Sequence, residues 1–286
     1  MAGYIGSKTS VAQVDGYTRT EADSEFVSDP NGAVTVAASG NVGISTAAPQ
    51  AVLDLGVGTN GRGLCWSNSA SAVYSNIWSS YSGARTTIGN GLKGSTSVSS
   101  GFESSVSSSW AKSAMSVGTG SVRFYTDAAS TVAYGTAITP TERMRIDSSG
   151  RVTMPYQPAF DVSYSGSAYT TLGTVVFNAV YTNVGGHYNT SNGRFTAPVS
   201  GSYIFYTSLI KGNTPTAVSR RRFDKNGSEA NNGRHLRLDL DQPYGDNGVM
   251  QALIYLNVND YVTVNQYAGS SYGTNQYDYF GGYLIG

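Results

Sequence analysis

The sequence predicts an all-β protein, and three observations lead to this fold class. Charged residues make up only 13% of the chain, whereas Gly, Ser, Thr and Tyr are abundant. Apolar residues occur in short runs that are separated by turn-forming Asn, Gly and Pro. Several runs in the second half are apolar on both alternating faces. This composition suits short strands joined by tight turns better than it suits helices with charged outer faces.

Residues 1–29 contain the clearest helix signal of the chain, over 17–26. Thr18 with Glu21, or Thr20 with Asp23, has the spacing of a capping box. No basic region followed by an apolar core opens the chain, and no apolar stretch is long enough to span a membrane. We therefore expect no secretory signal and no membrane insertion, and synthesis in a cytoplasm.

Residues 30–61 are predicted to form a connector of short strands, because Asn-Gly, Gly-Asn and Pro divide this stretch into short apolar runs. Part of the connector recurs: SGNVGI at 39–44 resembles SGRVTM at 149–154. We interpret 62–146 as a small β-module bracketed by the two copies, and 147–157 as the second connector and linker. Within the module, Met144 and Ile146 share one strand face while Arg143 and Arg145 share the other, which predicts a half-exposed strand.

Beyond Pro158 the strand signals lengthen and recur regularly, which predicts a sandwich or jelly roll over 158–286. The predicted strands are Thr174 to Tyr181, Ser202 to Ile210, Ser219 to Phe223, His235 to Leu240, Val249 to Leu256, Tyr261 to Tyr267 and Tyr277 to Ile285. The strand from Ser202 is apolar on both faces. A single core covers only one face, so the second face predicts contact with another copy of the chain, in a homotrimer.

Five segments in order resemble the globular head of complement component 1q, a member of the tumour necrosis factor-like jelly rolls. They are PAFDV at 158–162, VVFNAVYTNVGGHYNTSNGRFTAPVSGSYIFYTSL at 175–209, FDKNGSE at 223–229, GVMQALIYLNVNDYVTV at 248–264 and YFGGYLIG at 279–286. The resemblance implies a ten-stranded jelly roll that trimerises about an apolar axis. We expect core or trimer contacts from Phe160, Phe177, Phe195, Tyr203, Phe205, Leu253, Tyr255, Phe280 and Tyr283.

The first half resembles virion and tail-fibre proteins of tailed bacteriophages. The segments that carry this resemblance are IGSKTSVAQVDGYTRTEADSEF, GNVGISTAAP and TERMRIDSSGRV. It implies that residues 1–29 attach the chain to other phage tail or virion proteins, that 30–157 form a β-rich shaft and module, and that the protein is part of the virion, made in the cytoplasm of the host bacterium.

Alternating strand directions bring the loops 211–217, 242–248 and 269–275 to one end of the head, away from the linker. Tyrosines beside carboxylates and amides in these loops suit a sugar ligand, because an aromatic face stacks on a sugar ring while polar groups bond its hydroxyls. The candidate receptor-binding residues are Lys211, Asn213, Tyr244, Asp246, Asn247, Tyr272 and Asn275. Soluble turns with no ligand are the alternative for each of them.

Other motifs carry weaker chemical signals. The stretch Gly56–Gly61 spells GxGxxG, yet no helix follows to bind a pyrophosphate. The stretch Gly269–Gly273 spells GxSxG, but both histidines precede it, so no hydrolase triad in the usual order is available. Asp239, Asp241 and Asp246 are candidates for a calcium site, with a solvated loop as the favoured alternative. The run Arg220–Arg222 is interpreted as an edge or ion-pair set, since a strand sends alternate members to opposite faces.

The leading hypothesis is a trimeric phage tail fibre or spike that binds a host cell-surface receptor, a glycan by preference, through the distal loops. Lys plus Arg equals Asp plus Glu at 18 each, so no net field favours a nucleic-acid partner. No cofactor and no catalytic set is predicted. The rival hypothesis is a purely structural virion part, a tail adaptor or capsid decoration whose jelly roll only trimerises. A polysaccharide-degrading enzyme with carboxylates meeting between subunits is the third.

Overall fold

The computed structural model describes residues 34–37, 40–44, 50–54, 63–69, 72–80, 85–95, 101–170, 172–212, 218–230, 237–241, 247–274 and 277–286. The predicted helix at 17–26 lies outside these residues. The described part of the chain consists of strands and turns with no α-helix, so the all-β prediction is confirmed. The chain divides into two compact units, Met1–Thr153 and Met154–Gly286.

The described residues of the first unit form thirteen strands. They are β1 Val34–Val36, β2 Val42–Ile44, β3 Leu53–Asp54, β4 Gly63–Ser69, β5 Ala72–Ser80, β6 Arg85–Asn90, β7 Leu92–Gly94, β8 Phe102–Ser104, β9 Ser109–Gly118, β10 Ser121–Thr131, β11 Ala137–Ile138, β12 Glu142–Ile146 and β13 Val152–Thr153. They form a sheet β1-β2-β3, a sheet β13-β12-β10-β9-β6-β5-β4, which we call the module sheet, and a small sheet β11-β8-β7.

The sequence repeat marks a repeated β-hairpin turn. Gly40 and Gly150 have φ of +85° and +78°, a left-handed conformation that glycine adopts at low cost. The Gly40 amide donates to the Ala37 carbonyl at 2.8 Å, and the Gly150 amide donates to the Asp147 carbonyl at 2.9 Å. In each turn the amide of the first residue also donates to the carbonyl of the residue after the glycine, from Ala37 to Asn41 at 2.8 Å and from Asp147 to Arg151 at 3.0 Å. The two copies therefore have the same backbone hydrogen-bond pattern.

The module has a small core on one side of the module sheet. Trp78, Leu92, Ala114 and Tyr125 are buried there, with Phe102 packed against them. The rings of Trp78 and Phe102 meet edge-on with centroids 5.9 Å apart. Gly94 packs so closely on Trp78 that an added Cβ would lie 2.5 Å from its Cδ1 atom. The small sheet β11-β8-β7 supplies part of this core.

The described residues of the second unit, which we call the head, form fourteen strands. They are β14 Ala159–Ser163, β15 Ser167–Thr170, β16 Gly173–Thr174, β17 Ala179–Val184, β18 Tyr188–Asn189, β19 Arg194–Thr196, β20 Gly201–Ile210, β21 Ser219–Lys225, β22 Ser228–Glu229, β23 Arg237–Leu240, β24 Asn247–Leu256, β25 Tyr261–Ala268, β26 Ser271–Thr274 and β27 Tyr279–Leu284. The first head sheet has the order β17-β14-β27-β20-β24. The second follows β18-β19-β25-β21-β22, with β16 on β25 and β23 on β21, and β15 pairs with β26.

An aromatic core lies between the two head sheets. Phe160 is at its centre, with ring centroids 4.8 Å from both Phe195 and Phe280 and 5.3 Å from Tyr188. Six residues expected in core or trimer contacts lie here and are at most 2% exposed: Phe160, Phe177, Phe195, Tyr203, Phe205 and Phe280. Offset and edge-on ring pairs of this kind add stability beyond the burial of their area.

The predicted strand from Thr174 to Tyr181 is interrupted at residues 175–178, which corrects the sequence interpretation. β16 pairs with β25 in the second head sheet, whereas β17 pairs with β14 in the first. The chain therefore crosses between sheets at this point, with Val175 and Phe177 buried in the core. The apolar content of this run predicted that it is buried. It did not predict the break, because a segment that crosses the core pairs with one strand before the crossing and with another after it.

Candidate functional site

The ends of the head are defined by strand pairing. At the base, the Leu284 amide donates to the Pro158 carbonyl at 3.0 Å, and Asn226 Nδ2 donates to Asp260 Oδ1 at 2.7 Å. At the opposite, distal end, Ile210 pairs with Asn247, and the Gly212 amide donates to the Ser270 carbonyl at 2.9 Å. The described flanks of the three predicted loops therefore lie together, as the alternation of strands predicts.

The structure places three of the seven candidate receptor-binding residues. Asn247 is exposed at the start of β24, and Tyr272 is half-buried in β26. Lys211 is only 1% exposed, and its Nζ atom lies 3.5 Å from the Asp241 carbonyl oxygen. Its side chain thus points into the protein, which the loop-like sequence around it did not indicate. Asn213, Tyr244, Asp246 and Asn275 lie outside the described residues.

A buried arginine ties the strands together beneath the distal end. Arg221 is fully buried and forms an ion pair with the fully buried Asp278. Its Nη1 atom donates to the Ser208 carbonyl and to Asp278, and its Nη2 atom donates to Ser271 Oγ at 2.8 Å and to Asp278 Oδ2 at 3.2 Å. Nε donates to Gln266 Oε1 at 3.3 Å. All five guanidinium hydrogens therefore have acceptors.

This network connects β20, β21, β25 and β26 to the segment that leads into β27, so it fixes the framework from which the distal loops project. The sequence analysis interpreted the arginine run as an edge or an ion-pair set, and the structure shows ion pairs, with Arg221 paired to Asp278 and Arg220 to Asp239. It missed Asp278, because this residue is separated from Arg221 by 57 positions and stands in an ordinary turn-like stretch.

The neighbouring arginines form a partly exposed polar and aromatic cluster. Arg220 Nε lies 3.3 Å from Asp239 Oδ2, with both side chains about half exposed. The Tyr267 hydroxyl donates to Asp239 Oδ1 at 3.2 Å, and the Arg222 guanidinium lies 5.2 Å from the Tyr267 ring centroid. We call these four residues the distal cluster. A phenol ring beside fixed donors and acceptors is a surface on which a sugar hydroxyl finds partners.

The calcium hypothesis has limited geometric support. Within the described residues no three His, Cys, Asp or Glu side chains lie close enough to hold a metal ion. The Asp239 carboxylate is engaged by Arg220 and Tyr267, Asp241 is exposed, and Asp246 lies outside the described part. Over the same part, no helix has the length and apolar character needed to cross a membrane.

The outer face of the first head sheet is apolar and accessible. Along β24, Val249, Leu253 and Tyr255 are 56 to 62% exposed, while the alternate residues face the core. Leu253 pairs with Ile204, which pairs with Tyr283, itself 44% exposed. Leu253, Tyr255 and Tyr283, expected in core or trimer contacts, therefore lie on the outside of a single chain and not in its core.

One carboxyl group interrupts this apolar face. Asp161 pairs with Gly281 on the neighbouring strand, and Gly281 pairs in turn with Tyr206 on the next strand. The Tyr206 ring covers Gly281 so closely that a Cβ there would lie 2.3 Å from it. Burial raises the pKa of Asp161, and burial together with the Asp161 charge raises the pKa of Tyr206. Asp161 and Tyr206 are both half-buried, so this part of the face is already partly shielded from water in one chain.

The two packed head sheets, the aromatic core and the terminal strand β27 between β14 and β20 define a tumour necrosis factor-like jelly roll. Residues 159–285, which are 127 of the 286 residues, match the family model of the C1q domain. Domains of this class are typically trimeric, act in binding, and are generally not enzymes. The head is accordingly a C1q domain, and the earlier resemblance of this part of the chain is confirmed.

Known proteins resemble parts of the chain. One of the polypeptides of the complement C1q subcomponent of Mus musculus is 42% identical over 62 residues, which are 21% of this chain and 25% of the mouse protein. The chain thus matches about a quarter of the length of that relative. The globular domain of zebrafish complement 1qA protein has 22% identity and a TM-score of 0.37, and covers 46% of this chain and 98% of its own.

Two further solved structures are similar to part of the chain. Murine APRIL at pH 5.0 has 12% identity and a TM-score of 0.37, over 45% of this chain and 99% of that one. Eiger TNF from S. frugiperda has 12% identity and a TM-score of 0.34, over 46% of this chain and 93% of that one. None of these named proteins is a phage protein, so the bacteriophage assignment stays a prediction from the first half of the sequence.

Proposed function

We propose that this chain is a subunit of a homotrimeric bacteriophage tail fibre or spike that binds a host cell-surface receptor, a glycan by preference, with the distal end of its C1q domain. Residues 1–29 attach it to the tail, and the protein resides in the virion after synthesis in the bacterial cytoplasm. Its action is adhesion, with no bond made or broken and no cofactor required.

The observation that carries this proposal is the outer face of the first head sheet. Leu253, Ile204 and Tyr283 lie side by side on three neighbouring strands and are accessible in the single chain. A contiguous apolar face of this kind marks a protein interface. Identical heads that share the face are joined by cyclic symmetry, which agrees with the typical trimer of the domain class.

We assign binding to the distal end because several chemically suitable groups lie on the strands that lead to its loops. Tyr272 and Asn247 flank the loops, and the distal cluster adds the Tyr267 ring with the Arg220 and Asp239 charges. Each contact alone is weak at an exposed site. Three copies at fixed spacing raise the overall affinity by roughly a hundredfold or more, provided that they engage one surface together.

The trimer is tested with Leu253→Lys in the full chain, measured by analytical ultracentrifugation. The wild type is expected to sediment as a trimer, and the variant as a folded monomer, because three lysines would meet in an apolar interface. Val258→Lys is the matched control, since Val258 is 52% exposed in the turn after β24 and lies off this face. A monomeric wild-type chain would overturn the proposal.

Receptor binding is tested by adsorption of the labelled full-length trimer to candidate host cells in competition with intact phage. We expect saturable adsorption that blocks infection and is weakened by Tyr272→Ala and by Asp239→Ala. Tyr156→Ala is the control, since Tyr156 is 57% exposed near the base. A well-formed trimer that adsorbs to none of the hosts infected by the phage would refute the receptor role and favour a purely structural virion part.

A further inference from the structure

The module sheet has one face on which large apolar side chains cross almost the whole sheet. Residues in register on adjacent strands, from β4 to β12, form the first row: Leu64, Ile77, Ile88, Met115, Phe124 and Met144. A second row next to it contains Thr86, Val117, Val122, Ile146 and Val152. We call the surface formed by these two rows the front face.

The front face is accessible in the single chain. Leu64, Ile88, Val117 and Val152 are 46 to 52% exposed. Scattered apolar residues on a surface need no explanation, but a continuous patch of this kind marks an interaction site. The surface also has a shallow cavity of about 530 Å³, lined by Trp66, Ile88 and Phe124 among others, which gives room for side chains of a partner.

The opposite face of the same sheet differs in chemistry. It carries the small core around Trp78, together with polar and charged residues in register: Thr87, Ser116, Arg123 and Arg145. Thr87 Oγ1 and Ser116 Oγ share a buried hydrogen bond of 3.2 Å. The chain therefore places its own packing on the more polar face and leaves the more apolar face half exposed. An antiparallel sheet with one solvated face normally packs its apolar face on the core and exposes its polar face, which is the opposite arrangement.

The occupant is constrained by charge and size. Neither row of the front face contains a charged residue, so an apolar and uncharged partner fits best. Six strands spaced about 4.8 Å apart and two rows about 7 Å apart give a flat area of roughly 400 Å² per copy. Two such faces together give about 800 Å², less than the roughly 1,000 Å² of a specific interface, so the association also needs the joined heads.

We infer that the front face packs against the front faces of other copies of this chain, so that the modules share an apolar core in the assembled protein. The inference rests on the proposed homotrimer, because heads held together keep three identical uncharged faces at high effective concentration. Each front face then has a partner of matching size and polarity, and the module completes its fold only in the oligomer.

The test measures thiol labelling in the full-length protein, with Cys65→Ser removing the native cysteine. Ile88→Cys places a thiol on the front face, where the native side chain is 49% exposed. Val258→Cys is the matched control at 52% exposure in a head turn. In the trimer, maleimide labelling at position 88 is expected to be at least about tenfold slower than at 258, because labelling requires separation of the modules.

The labelling rates and the molar mass, measured on the same sample, separate this inference from the proposed function. A trimer in which both thiols react equally fast overturns the shared core and leaves the proposed function standing. A monomer with equal rates refutes both. A monomer in which position 88 is slow shows that residues of the same chain cover the face, which also overturns the inference. Thr86→Cys, an exposed polar position in the second row, repeats the test if Ile88→Cys does not fold.

Discussion

The head and the module bury their apolar residues in different ways. Among the described residues, the head has eighteen buried apolar residues between two sheets, whereas the buried cluster of the module has four. The head thus has the core of an independent domain, and its outer apolar face is additional to that core. The module keeps its longest apolar rows on an accessible face. Burial within one chain therefore stabilises the head more than the module, and four substitutions test this difference.

The largest effect is expected at the centre of the head core. Phe160→Ala removes a ring that contacts Phe195, Phe280 and Tyr188, and should lower the free energy of unfolding by about 4 kcal/mol. Urea denaturation followed by tyrosine fluorescence measures this change. Tyr181→Ala, at a position 64% exposed, is the control and should change it by less than about 0.5 kcal/mol. A small effect of Phe160→Ala would contradict the description of the head as self-sufficient.

The next effect concerns the buried ion pair. Asp278→Asn removes the negative charge and leaves the Arg221 guanidinium charged in a fully buried site, at a cost of about 3 kcal/mol. The amide oxygen still accepts one hydrogen bond, which keeps the cost at the lower end of the range for such pairs. The double variant Arg221→Met with Asp278→Asn should recover part of the loss in the same urea experiment. No recovery would show that the hydrogen bonds, and not the unpaired charge, dominate.

In the module, the sharpest steric test is Gly94→Ala. The new methyl group would lie 2.5 Å from Trp78 Cδ1, so the ring must shift, at a cost of about 2 kcal/mol. Ser109→Ala, at an exposed position in β9, is the control. In the Gly94→Ala trimer, we expect the module to lose its protection from hydrogen exchange at a lower urea concentration than the head does, because the core of the module within one chain is smaller. Equal loss in both units would count against the contrast drawn between them.

The smallest effect is expected at the base turn of the head. Bonds from Asn226 and Lys225 lower the pKa of Asp260 from 3.8 to about 2. A lowered pKa in the folded state stabilises the head above pH 4, and this contribution disappears as the pH falls from about 4 to 2. Asp260→Asn should flatten the acid titration of stability in that window, measured by thermal denaturation, while leaving stability differences between pH 6 and 8 unchanged. An unaltered acid titration would argue against the role of this carboxylate.

The sequence predicted much of the head because its strands obey simple alternation. Tyr203 and Phe205 face the core of the head, and Ile204 and Tyr206 face outward, as the period of two requires. The break at 175–178 was not predictable in this way, since pairing changes from one sheet to the other. The burial of Lys211 was missed for a related reason: a charged residue at the end of a strand normally faces solvent.

The apolar front face of the module follows from the register of its strands and not from the composition of the sequence. Ile77, Ile88 and Met115 stand in three separate runs whose sequences reveal no common face. Only the pairing of β5, β6 and β9 brings them into one row. The site at the distal end has the same limitation, because Asp239 and Tyr267 become neighbours through strands that are distant in sequence. Non-local pairing determines both surfaces.

The repeated hairpin turn has a consequence for how such chains diversify. Gly40 and Gly150 occupy equivalent positions in two turns with the same backbone hydrogen bonds. The stretch between them therefore begins and ends at equivalent turns. Exchange of the chain at these two turns would delete or duplicate the stretch between them and leave a turn with the same backbone hydrogen bonds at the junction. Such an exchange would change the length of the chain before the head by one whole module and leave the sequence of the head unchanged.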